Sequence, residues 1–182
     1  ANSQKRALIL NPPDNHTLLP SIKPKRNSII FFTTPLEMRS MVLYVDVKSI
    51  LSMLIQTATL FSLKLIIRVH PLEKIDYYKK LTKKIQQNTN TQLEIEFTQG
   101  GPLNEIFKDI AAAISFGSTL FLDCIKHNIP MICFDWIDFG PAESLKPYDI
   151  INFASNLSEF KQLIEKAVKG ELKINGEHIH SF

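Results

Sequence analysis

The chain has two cysteines in 182 residues, and neither they nor its histidines stand at the spacing of a structural metal site. A disulfide framework and a zinc-stapled fold are therefore excluded as the source of stability. Cys124 and Cys133 fall within a predicted helix and a predicted strand, the pattern of reduced core thiols in a cytosolic protein. Long hydrophobic runs are also missing. The most apolar region, residues 50–67, is broken by Gln56, Lys64 and several hydroxyl residues, so no membrane span is expected there. There is no large charge of one sign either: the net charge is +3 and the 21 Lys and Arg residues are scattered. Local concentrations occur only at Lys23, Lys25 and Arg26 and on a helix face with Lys79, Lys80, Lys83 and Lys84. Without interleaved aromatics these read as solvated surface, and no nucleic-acid partner is expected. His178 and His180 stand in a polar tail that reads as a chain terminus, so no metal is expected. These absences predict a cytoplasmic location, at most peripheral to the inner face of the plasma membrane.

A hydrophobic content of 45% is enough for one sizeable core. Residues 1–27 read as a polar, proline-spotted arm or linker, residues 28–170 as one α/β domain and residues 171–182 as a tail. The arm and the missing initiator Met suggest a piece of something longer. Short apolar runs at 28–34, 63–69, 92–98, 111–115, 131–134 and 150–153 have strand length. Between them, residues 47–61, 73–87, 103–109, 118–127 and 158–168 carry helical spacing, with Asp46 and Ser158 as candidate N-caps and Asn128 as a left-handed exit. Residues 135–149 form a loop with Asp135, Trp136, Asp138 and Glu143, read as surface. Repeated alternation of strand and helix with continuously apolar strands predicts a doubly wound parallel sheet, about six strands with helices on both faces.

Two motifs carry chemistry. In the first, Ile114 and Ser115 lead through Phe116 into Gly117, Ser118 and Thr119 and then a helix bearing Asp123. A helix start offers unpaired N–H groups and a positive dipole end to a phosphate, and two hydroxyls join them. Asp123 lies four residues after Thr119, on the same helix side, and its apolar neighbours imply a buried carboxylate that needs a partner or a ligand. In the second motif, the run from Lys64 through Arg68 and Val69 ends on His70 and Pro71. Proline cannot continue the ladder and restricts the residue before it, so His70 is placed at a strand's carboxyl end with a helix to follow. Thr33, Thr34, His70, Gln99, Gly117 and Asp135 should share the rim where open α/β sheets bind ligands. Rim position and helix capping are the plain alternatives for His70 and for Ser118 and Thr119.

The His-Pro strand end, the Gly-Ser-Thr helix start with its Asp, and the following Ile129, Pro130, Met131 and Ile132 together resemble the C-terminal, nucleotide-binding half of a GT-B glycosyltransferase. The resemblance covers residues 28–170 and is closest to bacterial sialyltransferases and capsule polysaccharide synthesis proteins. Teichoic-acid glycerophosphate transferases are similar at the same places. The resemblance implies a CMP- or UDP-sugar donor, used in surface polysaccharide or lipopolysaccharide synthesis by an inverting reaction without metal or other cofactor. It implies His70 as the catalytic contact to the donor phosphate, with Ser118 and Thr119 gripping that phosphate. Asp123 would hold the ribose, and Gln99 and Gly100 would lie beside the base. Thr33, Thr34, Arg68 and Gly117 complete the implied donor site. Asp123 and Asn128 depart from the pattern, which more often has Glu and Gly there. The implied partners are the donor and a glycan or lipid-linked acceptor held by an N-terminal half that also supplies the base, so the chain alone is expected to bind without turnover. A nucleotide-sugar epimerase-like domain and a degenerate module that docks a protein are the alternatives.

Overall fold

In a computed structural model that describes residues 26–35, 47–135, 150–172 and 174, strand and helix alternate along the chain. The strands β1 (Ser28–Phe32), β2 (Lys64–Arg68), β3 (Ile95–Thr98), β4 (Ile110–Ser115), β5 (Met131–Phe134) and β6 (Ile151–Ala154) form one sheet. Its order is β3-β2-β1-β4-β5-β6 and every pairing is parallel. This is the doubly wound, Rossmann-like arrangement expected from the sequence. Parallel neighbours need crossovers, which α1 (Val47–Leu60), α2 (Ile75–Thr89) and α3 (Phe121–Lys126) help supply, while α4 (Leu157–Val168) follows β6.

The apolar runs are continuous because the central strands are covered on both faces. Ile29 and Phe31 of β1 enter one layer with Leu51, Leu54 and Ile55 of α1, Ile85 of α2 and Phe160 and Ile164 of α4. Ile30 and Phe32 enter the opposite layer with Phe107, Cys124 and Ile129. A smaller cluster joins Met131 and Cys133 of β5 to Ile151 of β6. Each such side chain removed from water contributes about 1.5–3 kcal/mol, which makes β1 and β4, adjacent and buried at every position, the centre of the core. β3, half-buried throughout, forms one edge.

Local differences from the sequence reading fall at helix starts and at strand ends, where β3, expected over 92–98, begins at Ile95 and β1, expected over 28–34, stops at Phe32. The helix after Pro71 begins only at Ile75, because the Glu73 N–H donates to the His70 carbonyl at 2.9 Å and closes a turn first. Residues 103–109 tighten to a 3-10 turn, Ile106–Asp109, and the helix expected over 118–127 contracts to Phe121–Lys126. The cap of α4 is Asn156 in place of Ser158. Its side chain accepts from the Glu159 N–H at 2.9 Å while Glu159 Oε2 accepts from the Ser155 N–H at 2.8 Å, a reciprocal arrangement at the helix start. Asn128 has φ of 52°, the left-handed exit anticipated for α3. Asp46, Lys23, Lys25, Trp136, Asp138, Glu143, His178 and His180 lie outside the described residues.

Asn156→Ala should therefore cost about 1 kcal/mol and lower Tm by a few degrees, while Ser158→Ala should leave Tm unchanged; thermal circular dichroism of the two variants checks this. Burial pushes both thiols, Cys124 and Cys133, up to about 12. Ellman's reagent at pH 8 should consequently label them no faster than the protein unfolds. The sign of the linked pH dependence follows: unfolded thiols ionise first above their ordinary value of 9.0, so alkaline titration erodes stability between there and about 12.

Candidate functional site

Polar groups gather where the strands end. Between β1 and β4 the sheet order reverses, with β2 and β3 on one side and β5 and β6 on the other. The chain leaving β1 feeds α1 on one face, and the chain leaving β4 feeds α3 on the other. This divergence opens a crevice at the carboxyl ends, the usual ligand position of such sheets. A small pocket of about 10 Å³ marks it, with Thr33, Thr34 and Phe116 brought together beside Phe31 and Tyr78. Its floor is aromatic. Phe31 meets Phe116 edge-on at 5.8 Å, Phe116 meets Phe134 at 5.3 Å, and Phe134 meets Phe160 at 5.2 Å, contacts that stiffen the floor beyond simple burial.

On the β2 side a hydrogen-bonded network holds the His-Pro turn. Thr33, only 5% exposed, donates its N–H to the Arg68 carbonyl at 3.0 Å. Its hydroxyl accepts from the His70 N–H at 2.8 Å and donates to Glu73 Oε2. Glu73 Oε1 accepts from the buried Tyr78 hydroxyl at 2.8 Å, and burial, followed by Glu73, raises the Tyr78 pKa. Gln99 Nε2 donates to the carbonyls of both His70 and Glu73, at 2.9 and 2.8 Å, so its amide serves the turn. His70 Nδ1 accepts from the Leu72 N–H at 3.2 Å. A neutral imidazole whose Nδ1 is an acceptor carries its proton on Nε2, so His70 is set as an Nε2–H donor.

Arg68 Nη2 donates to the Gly101 carbonyl at 2.7 Å, and partial burial lowers the guanidinium pKa from its ordinary value. Among the expected site residues it alone carries a permanent positive charge, and its partner is a neutral carbonyl. Gly100 and Gly101, with φ of 68° and 76°, take consecutive left-handed conformations that present that carbonyl.

On the β4 side, Ser115 Oγ accepts from the N–H groups of Gly117 at 3.2 Å and Ser118 at 2.9 Å, and Ser118 Oγ accepts from the Leu120 N–H at 3.3 Å. Gly117 turns the chain at φ of 108°. N–H groups expected to be unpaired thus find hydroxyl partners within the turn, and Thr119 stands exposed ahead of a six-residue helix. Asp123 is not the buried carboxylate its neighbours implied: Cys124 takes the inward position, and the Asp123 side chain is 42% exposed with Lys126 Nζ at 3.9 Å. Such an exposed pair contributes little. Contacts among the described residues join Thr33, His70 and Gln99 but do not bring Asp123 to them. Sequence reading passed over Ser115, Glu73 and Tyr78. The usable signals were a Ser two residues before a turn Gly and an acidic residue three after His70.

A larger hollow, about 660 Å³, lies at the amino ends of β1 and β2, lined by Ser28, Lys64, Glu94, Glu96, Glu105 and Asp109 among others. Lys64 pairs there with Glu96 at 2.7 Å and Glu94 at 2.9 Å, which raise its pKa in that order. The hollow's surplus of carboxylates repels phosphate and other anions. Among the described residues no three His, Cys, Asp or Glu side chains converge as metal ligands, and no helix is long and apolar enough to cross a membrane.

No protein-family model matches the sequence, and no curated protein matches it. Among solved structures the chain is similar to a point mutant of the O-GlcNAc transferase of Thermobaculum terrenum, with a TM-score of 0.56 and 15% identity. The match covers 93% of this chain and 32% of that one. At that identity the likeness is one of fold, and a Rossmann-like sheet of this kind occurs within a glycosyltransferase.

Proposed function

We propose that this chain is the donor-binding half of a glycosyltransferase that takes a nucleotide-activated sugar, a CMP- or UDP-sugar, for surface polysaccharide or lipopolysaccharide synthesis of the bacterial sialyltransferase and capsule kind. The observation that carries the reading is His70, held at the rim beside the switch point with Nδ1 accepting from the Leu72 N–H and Nε2–H left to donate. The likeness in fold to the O-GlcNAc transferase, of which this chain spans 32%, supports it.

In this reading the reaction is an inverting displacement at the anomeric carbon. Charge develops on the departing phosphate, and a donor already in place stabilises it without reorganisation. His70 Nε2–H and the Arg68 guanidinium fill that role from β2, and the Ser118 and Thr119 hydroxyls meet the phosphate from β4. Thr34 and Gly117 bound the crevice, Gly100 flanks the base, and Asp123 approaches the ribose from α3. The general base and the glycan or lipid-linked acceptor belong to a second half, and in this reading the enzyme works in the cytoplasm at the inner face of the plasma membrane. A second reading, a module that docks a protein, is favoured by one observation: Ser115 takes up two N–H groups of the turn that a phosphate would otherwise use.

Calorimetric titration with CMP, CDP, UDP and GDP separates the two. One nucleotide should bind saturably, and His70→Ala should weaken it by roughly 10- to 100-fold, the loss expected for a hydrogen bond to a charged group. A folded protein that binds none of the four would overturn the donor-site reading and leave the docking module. Arg68→Lys should weaken binding less than Arg68→Ala, because the ammonium keeps the charge without the fork; equal affinity in all three proteins would remove Arg68 from the site.

A further inference from the structure

Glu73, which the sequence did not single out, makes as many hydrogen bonds at the rim as His70. Its carboxylate accepts from the hydroxyls of Thr33 on β1 and Tyr78 on α2. Its N–H donates to the His70 carbonyl at 2.9 Å, and its own carbonyl accepts from Gln99 Nε2 at 2.8 Å. The Thr33 hydroxyl that Glu73 receives is the one that accepts from the His70 N–H. A hydroxyl has one proton to give, and Glu73 fixes where it goes. The Thr33 lone pairs then face the His70 N–H, which sets the Val69–His70 peptide at the entry to the turn. The same turn brings the Leu72 N–H to Nδ1 at 3.2 Å.

We infer that Glu73 is a positioning residue that sets His70 in the Nε2–H form through Thr33, so that the ring presents a donor before any ligand arrives. The inference rests on the donor-site reading for its purpose but not for its test. His127 supplies an internal contrast. Its Nδ1 lies 2.9 Å from the Asp123 carbonyl oxygen, an acceptor, so His127 carries its proton on Nδ1, the tautomer opposite to that of His70.

Long-range 1H–15N correlation of the imidazole rings at pH 8, on the full chain without ligand, reads both directly. The unmodified protein should show His70 with a bare Nδ1 and His127 with a protonated one. Glu73→Ala and Thr33→Val should each turn the His70 pattern into a mixture of tautomers while leaving His127 unchanged, and Tyr78→Phe, which spares the Thr33 link, should have the smaller effect. Glu73→Gln, whose amide oxygen still accepts from Thr33, should keep the Nε2–H form, and Thr33→Val reads the same ring if Glu73→Ala fails to fold. CMP and UDP titrations of the same variants should show affinity falling by about tenfold where the tautomer is lost. An unchanged His70 ring in Glu73→Ala and Thr33→Val, or equal changes at His70 and His127, overturns the inference. Failure of CMP and UDP to bind the unmodified protein would count against the donor site alone, because the ring spectra still decide the role of Glu73.

Discussion

A strand buried on both faces has no place for a polar side chain except at its ends, and β1 is such a strand. All five of its residues are buried, between helices on one side and the 3-10 turn and α3 on the other. Hydroxyl, amide and imidazole groups are therefore driven to the residues just past each strand: Thr33, His70 and Gln99 after β1, β2 and β3. The parallel ladder aligns those ends at one edge, because Phe32 is in register with Arg68 and Arg68 with Thr98. Chemistry collects on that rim as a consequence of burial.

Gathering groups at a rim does not organise them. Turn geometry does that, at two places where the backbone leaves the ordinary regions. The left-handed pair Gly100 and Gly101 aims a carbonyl at Arg68, and Gly117 bends β4 toward α3 so that Ser115 can reach two N–H groups. Between them, Thr33 and Glu73 tie β1, the His-Pro turn and α2 together. Donors held this way lose little freedom when a ligand arrives. The opposite edge has another character: Lys64 is neutralised by Glu94 and Glu96. The charge left there is acidic, so the two edges suit different partners.

The strands and the order of the elements were legible in sequence because burial writes itself as uninterrupted apolar runs, and the strand at residues 131–134 was read with both of its ends. Helix starts were less legible, since caps depend on which hydroxyl or amide the turn brings within reach. Asn156 displaces Ser158 at α4, and a turn through Glu73 delays α2 to Ile75. Asp123 shows the same limit for burial: apolar neighbours on both sides suggested an enclosed carboxylate, but a helix turns each successive residue by about 100°. Cys124 is buried, Phe121 and Ile125 pack against the core beside it, and Asp123 stands half exposed.

Sequence by itself determined the parallel, doubly wound sheet and the placement of His70 at a strand end, because hydrophobic periodicity and the stereochemistry of proline are local properties. Tertiary structure alone decided that Thr33 is a brace between His70 and Glu73, that Gln99 serves the turn, and that Tyr78 closes the network from α2. Those partners lie up to 40 residues apart in the chain. Hydrogen bonding over that separation is set by strand register and crossover geometry, which no window of sequence contains.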